Sequence, residues 1–283
     1  MSFLLKTFRF FVYSNLFIAC CAVLMVAQTY QLLLHDRPPA AVVLFIFFAS
    51  ICSYSFHWWL TPAGEYGNTP REQWLDRNKK VHLVLFFIGL AGAASAAFLL
   101  LDHWHWLLLA AVITFFYSAP KIPHPVFRSL RKVALAKTIF LAFVWMYVTT
   151  CLPIEISEEP WRADFLLFAG GRFFLIYAIC ILFDYRDREY DKQLGIRSLI
   201  TWLSFKNITR LFAGSLLIFA VLTIMLLNYG YSAGIVIILL IPGLITALLY
   251  RYASRNFHDM LYYFVLDGLM AFSAVMTLAI KIW

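Results

Sequence analysis

Three aspartates, Asp184, Asp187 and Asp191, stand in the segment FDYRDREYDKQLGIRS at 183–198, spaced i, i+3 and i+7. On a helix they fall within about 60° of arc. Carboxylates on one stripe repel one another unless a cation lies among them. Mg2+ answers that need, because it takes oxygen ligands, keeps several waters and is held by one or two carboxylates together with substrate phosphates. The alternative is a solvated helix at the membrane edge whose aspartates pair with the interspersed arginines. Spacing alone leaves both open.

Other charges lie within apolar runs. Lys137 sits about one turn inside VALAKTIFLAF, where an ammonium must snorkel to the surface or serve a function. Arg172 and Asp267 lie deeper, at roughly 18 and 14 Å for a rise of 1.5 Å per residue. Their similar depth predicts an ion pair closing the bundle. His57, between Phe56 and the pair Trp58 and Trp59, reads as part of an aromatic belt at headgroup depth. Phe and Tyr clusters such as FFY at 115–117 and YY at 262–263 read the same way.

The elements carrying these residues are membrane helices. Hydrophobic residues make up 63% of the 283 and charged residues 13%, against about a quarter charged in soluble domains. Mean hydropathy is +0.80. The reading is a single polytopic membrane domain over 1–283, all-α, with nine spans at about 10–34, 39–61, 81–101, 104–118, 133–153, 164–184, 208–228, 230–250 and 258–281. The fourth is short. The first apolar stretch shows no clear cleavage site and reads as a retained span. Most of the 23 basic residues fall at the N-terminus and in the loops after spans two, four, six and eight, whereas the opposite loops hold only Arg37 and Arg162. This predicts a cytoplasmic N-terminus and a C-terminus on the opposite side. The net charge of +8 follows from that topology and anionic lipid, without a nucleic acid. The five cysteines show no metal-ligand spacing and read as small buried hydrophobes.

The string DREYDKQLGIRS resembles the second Asp-rich motif of the UbiA family of intramembrane prenyltransferases, approximately D-x-x-x-D-x-x-x-G-[IVR]-[KR]-[ST], with Asp187, Asp191, Gly195, Arg197 and Ser198 in the motif places. FFYSAPKIP resembles the family's Tyr-x-x-x-Lys element through Tyr117 and Lys121. The resemblance implies a nine-helix bundle around a cavity open to the cytoplasmic side. It also implies Mg-dependent transfer of a polyprenyl group from its diphosphate to a hydrophobic, usually aromatic, acceptor. Asp184, Asp187 and Asp191 would hold Mg2+ through the diphosphate. Asp187, Asp191, Tyr117 and Lys121 would carry catalysis, and Lys137, Arg71, Arg197, His57 and Ser55 would contact substrate. The family's first Asp-rich motif is missing: SFHWWLTPAGEY places Ser55 and His57 where Asn and Asp are expected, with Glu65 the nearby acid. A degenerate member that binds or transports an isoprenoid lipid is therefore the alternative. An ion-coupled transporter is a weaker one, because the Pro242–Gly243 interruption of span eight has no counterpart in the first half.

Overall fold

The computed structural model describes residues 3–61, 69–122, 124, 127, 137–193 and 198–280. The expected positions Glu65 and Arg197 lie outside the described residues, as does the side chain of Lys137. The helices are α1 (Phe3–Tyr13), α2 (Leu16–Thr29), α3 (Ala40–Leu60), α4 (Pro70–Arg77), α5 (Lys79–Phe98), α6 (Trp104–Ser118) and α7 (Lys137–Met146). They continue with α8 (Leu152–Ser157), α9 (Ala163–Gln193), α10 (Leu199–Trp202), α11 (Phe205–Met225), α12 (Ala233–Ala253) and α13 (Asp267–Ala279). Wider π-helical turns extend α2 (Tyr30–Leu34), join α7 to α8 (Tyr147–Cys151) and lead into α13 (Leu261–Leu266). Among the described residues eight helical stretches are long and apolar enough to cross a membrane. The expected fourth span forms as α6 and has 15 residues, fewer than the ~20 a perpendicular crossing uses.

Two elements depart from the expected spans for identifiable reasons. The first does not run unbroken from residue 10: the chain breaks at Ser14 and at Asn15, whose φ of 69° is the left-handed conformation that Asn tolerates. Both residues are buried, and Asn15 Nδ2 lies 3.5 Å from His82 Nδ1 of α5. The sixth runs on past 184 as one helix to Gln193, carrying the aspartate stripe out of the apolar layer on a rigid rod.

α9 is the central helix, buried along most of its length between α7 and α11, while α2 packs on α3 and α13. α5 is peripheral, with Val84, Phe87, Ile88 and Leu90 exposed on an outer face suited to lipid. Its packing on α3 depends on Gly89, where an added Cβ would lie 2.6 Å from the Cys52 nitrogen and 2.9 Å from the Phe48 carbonyl oxygen. Small residues of this kind let membrane helices approach backbone to backbone.

Arg172 does not pair with Asp267. Its Nη1 donates to Thr29 Oγ1 (2.8 Å), Thr149 O (2.7 Å) and Thr150 Oγ1 (2.9 Å), and its Nη2 donates to Gln28 Oε1 (2.9 Å). The π-helical turn at Tyr147–Cys151 presents the Thr149 carbonyl sideways, where Thr29 Oγ1 also donates to it at 2.7 Å. Gln28 Nε2 in turn donates to Ser273 and Thr277 of α13. A neutral cage thus solvates the buried guanidinium and ties α2, the α7–α8 turn, α9 and α13 together.

Candidate functional site

The polar ends of four elements converge beside α9. Thr69 caps α4 by accepting from Glu72 N, Pro70 fills the first helical position, and Arg71 N donates to Asp259 Oδ2 at 2.7 Å. The local cap in TPRE and the bond to Asp259 together fix the Arg71 backbone. Its guanidinium is buried between two rings, 4.0 Å from the Trp58 centroid and 3.6 Å from that of Tyr263, with Nε and Nη1 lacking any hydrogen-bond partner among the described residues. Next to it Arg186 forms a two-pronged pair with Asp187, Nε to Oδ1 at 2.7 Å and Nη2 to Oδ2 at 3.1 Å, and Nη2 also donates to Tyr263 Oη at 2.9 Å. Asp184, one turn earlier, accepts from Thr138 Oγ1 of α7.

These groups surround three adjoining cavities. A polar chamber of about 110 Å³ is lined by Arg71, Asp184, Arg186, Asp187 and Asp267 together with Tyr54, His57 and Tyr117. An apolar cavity of about 370 Å³ runs from it among α3, α5, α6 and α7, past Phe45, Ala49, Ala93 and Val148. The two share the wall Tyr54, His57, Tyr117, Leu141 and Trp145. Here His57 stacks on Tyr117 with centroids 5.1 Å apart, and Trp145 Nε1 donates to Tyr54 Oη at 3.1 Å. A vestibule of about 130 Å³ adjoins the chamber's other side, sharing Trp58, Arg71, Arg186, Asp187 and Tyr263 and adding Asp259 and Tyr190. An apolar tail, a polar junction and a cation-walled head thus follow one another in space.

The structure brings Asp184, Asp187, Arg71, His57 and Tyr117 to the chamber. It leaves three expected residues off these cavities. Asp191 is buried about two turns beyond Asp184 along α9, and Ser55 is fully buried within α3. Lys121 Nζ donates to Thr61 Oγ1 at 2.6 Å and lies 5.4 Å from the Trp58 ring, bracing that ring from outside the chamber.

The chamber also uses residues the sequence reading assigned elsewhere. The sequence places Trp58 with His57 in an aromatic belt at headgroup depth and reads Tyr262 and Tyr263 as interfacial anchors. Tyr262 is instead wholly buried, donating to Ala253 O at 2.8 Å, and Tyr263 holds Arg186 and Arg71. Arg186 had only its position between Asp184 and Asp187 to mark it. Thr138 and Tyr54 carry no local signal at all, whereas Asp267 stands out in the sequence as a charge within an apolar run and is assigned there to Arg172.

Among the described residues no three His, Cys, Asp or Glu side chains converge as a ready-made cation cage. Asp184 and Asp187 do face one chamber from one helix, which fits a hard cation that draws its remaining ligands from water and a phosphorylated substrate. The sequence model described as the UbiA prenyltransferase family matches residues 76–264, a stretch that takes in Tyr117, Asp184, Asp187 and Tyr263 and begins beyond Ser55 and His57. No curated protein matches the chain.

Proposed function

The chain belongs to the UbiA prenyltransferase family, and from that premise we propose that it transfers a polyprenyl group from its diphosphate to a hydrophobic acceptor within the membrane. The observation that carries this reading is the shared wall between a long apolar cavity and a chamber bearing two arginines and three carboxylates. A ligand that is hydrocarbon at one end and phosphate at the other matches both surfaces in the right order.

In this reading the isoprenoid tail occupies the apolar cavity and the diphosphate lies against Arg71 and Arg186. The unpartnered Nε and Nη1 of Arg71 supply charge-assisted donors for its oxygens. Mg2+ held by Asp184 and Asp187 with the diphosphate would neutralise charge on the leaving group. The bond to be broken then lies at the wall of Tyr54, His57 and Tyr117. Ring faces there favour a developing allylic cation, and the apolar lining beyond keeps water from it. Lys121 positions Trp58, and through that ring Arg71. Lys137 and Arg197 belong to the proposal as further phosphate contacts, and Asp191 as an acidic residue of the same motif. The chamber end is placed on the cytoplasmic side, with the N-terminus there and the C-terminus opposite.

A second reading, binding or carriage of an isoprenoid lipid without bond-making, draws on two observations. Residues 55–60 offer no carboxylate toward the chamber, and Asp187 is already engaged by Arg186. Purified protein in lipid nanodiscs, given geranyl, farnesyl or geranylgeranyl diphosphate with Mg2+ and a panel of phenols, separates the two. Metal-dependent release of diphosphate is the expected result. Tight binding of the same diphosphates with no release under any divalent metal would sink the enzymatic reading and leave the carrier.

A further inference from the structure

Asp267 is the chamber carboxylate that the protein leaves unused. Asp184 accepts from Thr138 and Asp187 is gripped by Arg186, but Asp267 makes no hydrogen bond and no ion pair among the described residues. It stands in the first turn of α13, on a wall with Asn15, Ile18 and Met270 that belongs to the chamber and to neither neighbouring cavity. With the tail assigned to the apolar cavity and the diphosphate to the partition at Arg71, Arg186 and Asp187, this wall is the one left for the acceptor. Asp267 lies three residues beyond the stretch matched by the family, 76–264.

We infer that Asp267 binds a small, uncharged, hydroxyl-bearing aromatic acceptor and takes its hydroxyl proton during transfer, an inference that rests on the prenyl-transfer reading above. The size follows from volume: the chamber measures about 110 Å³, below the roughly 150 Å³ of a cavity that takes a benzene ring. A single ring is the upper limit of that scale, and a tetrapyrrole macrocycle far exceeds it. The lack of charge follows from Asp267 on that wall with Arg71 and Arg186 committed to the diphosphate, since an acceptor carboxylate would meet a like charge with no cation left to pair it. The hydroxyl follows from Asp267 itself, an acceptor-only group when ionised, which a ligand donor satisfies.

The step balances as follows. The C1–O bond of the prenyl diphosphate breaks and its electron pair leaves on the diphosphate. A ring carbon ortho to the hydroxyl bonds to C1, and the hydroxyl proton passes to the Asp267 carboxylate, giving a dienone. The dienone becomes a phenol again as its ring proton moves to the oxygen, and Asp267 returns its proton to solvent when product leaves.

The test uses the full chain in nanodiscs with Mg2+ and geranylgeranyl diphosphate, comparing 4-hydroxybenzyl alcohol, its O-methyl ether and 4-hydroxybenzoate. Wild type should prenylate the alcohol, reject the ether and use the benzoate poorly. Asp267→Asn should lower kcat/KM for the alcohol about 10²- to 10⁴-fold while leaving the donor Kd and the melting temperature unchanged. Asp267→Ala should recover part of its activity with added formate. Transfer to the alcohol by the Asn variant at the wild-type rate, or equal use of ether and alcohol, would overturn the inference while keeping the prenyl-transfer reading. Wild type that releases no diphosphate with any acceptor would remove that reading, and this inference with it. Should neither variant fold, the comparison of ether with alcohol on wild type decides alone.

Discussion

Replacing Arg71 with Met separates a strut from an anion-binding group, because the two roles predict opposite results. The backbone at 71 is held by Thr69, Pro70 and the bond to Asp259, none of which involves the side chain. Without ligand, the change removes two cation–π contacts, at 4.0 and 3.6 Å, each about 2 kcal/mol when desolvated. It also removes two buried donors without partners among the described residues, each costing about 1–3 kcal/mol. Losses of about 4 and gains of about 2–6 kcal/mol nearly cancel, so the melting temperature should move little. With ligand, two charge-assisted hydrogen bonds of about 1.5–3 kcal/mol each are lost, which weakens diphosphate binding about 10²- to 10⁴-fold. The measurements are thermal unfolding in detergent and calorimetric titration with a non-ionising thio analogue of geranylgeranyl diphosphate. A large drop in melting temperature with unchanged affinity would show that Arg71 is a strut and would refute the reasoning.

Two further predictions concern the frame. Because Arg172 is solvated by Gln28 and the threonines, exchanging the charges of Arg172 and Asp267 should give no rescue, with a coupling energy under about 0.5 kcal/mol. A cycle of Arg172→Gln with Gln28→Leu should instead couple by about 1 kcal/mol or more, read from detergent unfolding. Gly89→Ala, which puts a Cβ against the α3 backbone, should cost about 1–3 kcal/mol. Since α3 walls the apolar cavity, the same change should raise KM for the longest prenyl diphosphates most, in a comparison of C10, C15 and C20 donors.

The limits of sequence reading here are geometric. The spacing of Asp184, Asp187 and Asp191 gave their angle about α9 correctly, since the helix runs unbroken to Gln193. Angle does not give height. Asp191 lies about 10 Å further along the axis than Asp184 at 1.5 Å per residue, beyond Asp187, the last residue of α9 to line the chamber. For Arg172 and Asp267 the failure was the reverse. Their depths along the spans are similar, but apolar runs facing lipid and protein alike carry no periodic marker of azimuth, and Arg172 faces the α7–α8 turn while Asp267 faces the chamber. The aromatic residues failed for a related reason. An amphipathic ring at the end of a span suits a headgroup layer and a buried polar chamber equally well, and only the arrival of Arg71 and Arg186 from other segments put Trp58 and Tyr263 in the second. A site made where several helix ends meet therefore shows in the sequence only where one helix supplies two of its groups, as α9 does with Asp184 and Asp187. Asp267, alone on its helix, shows in the sequence only as a charge in an apolar run, and its place beside Asp184 and Asp187 comes from the fold.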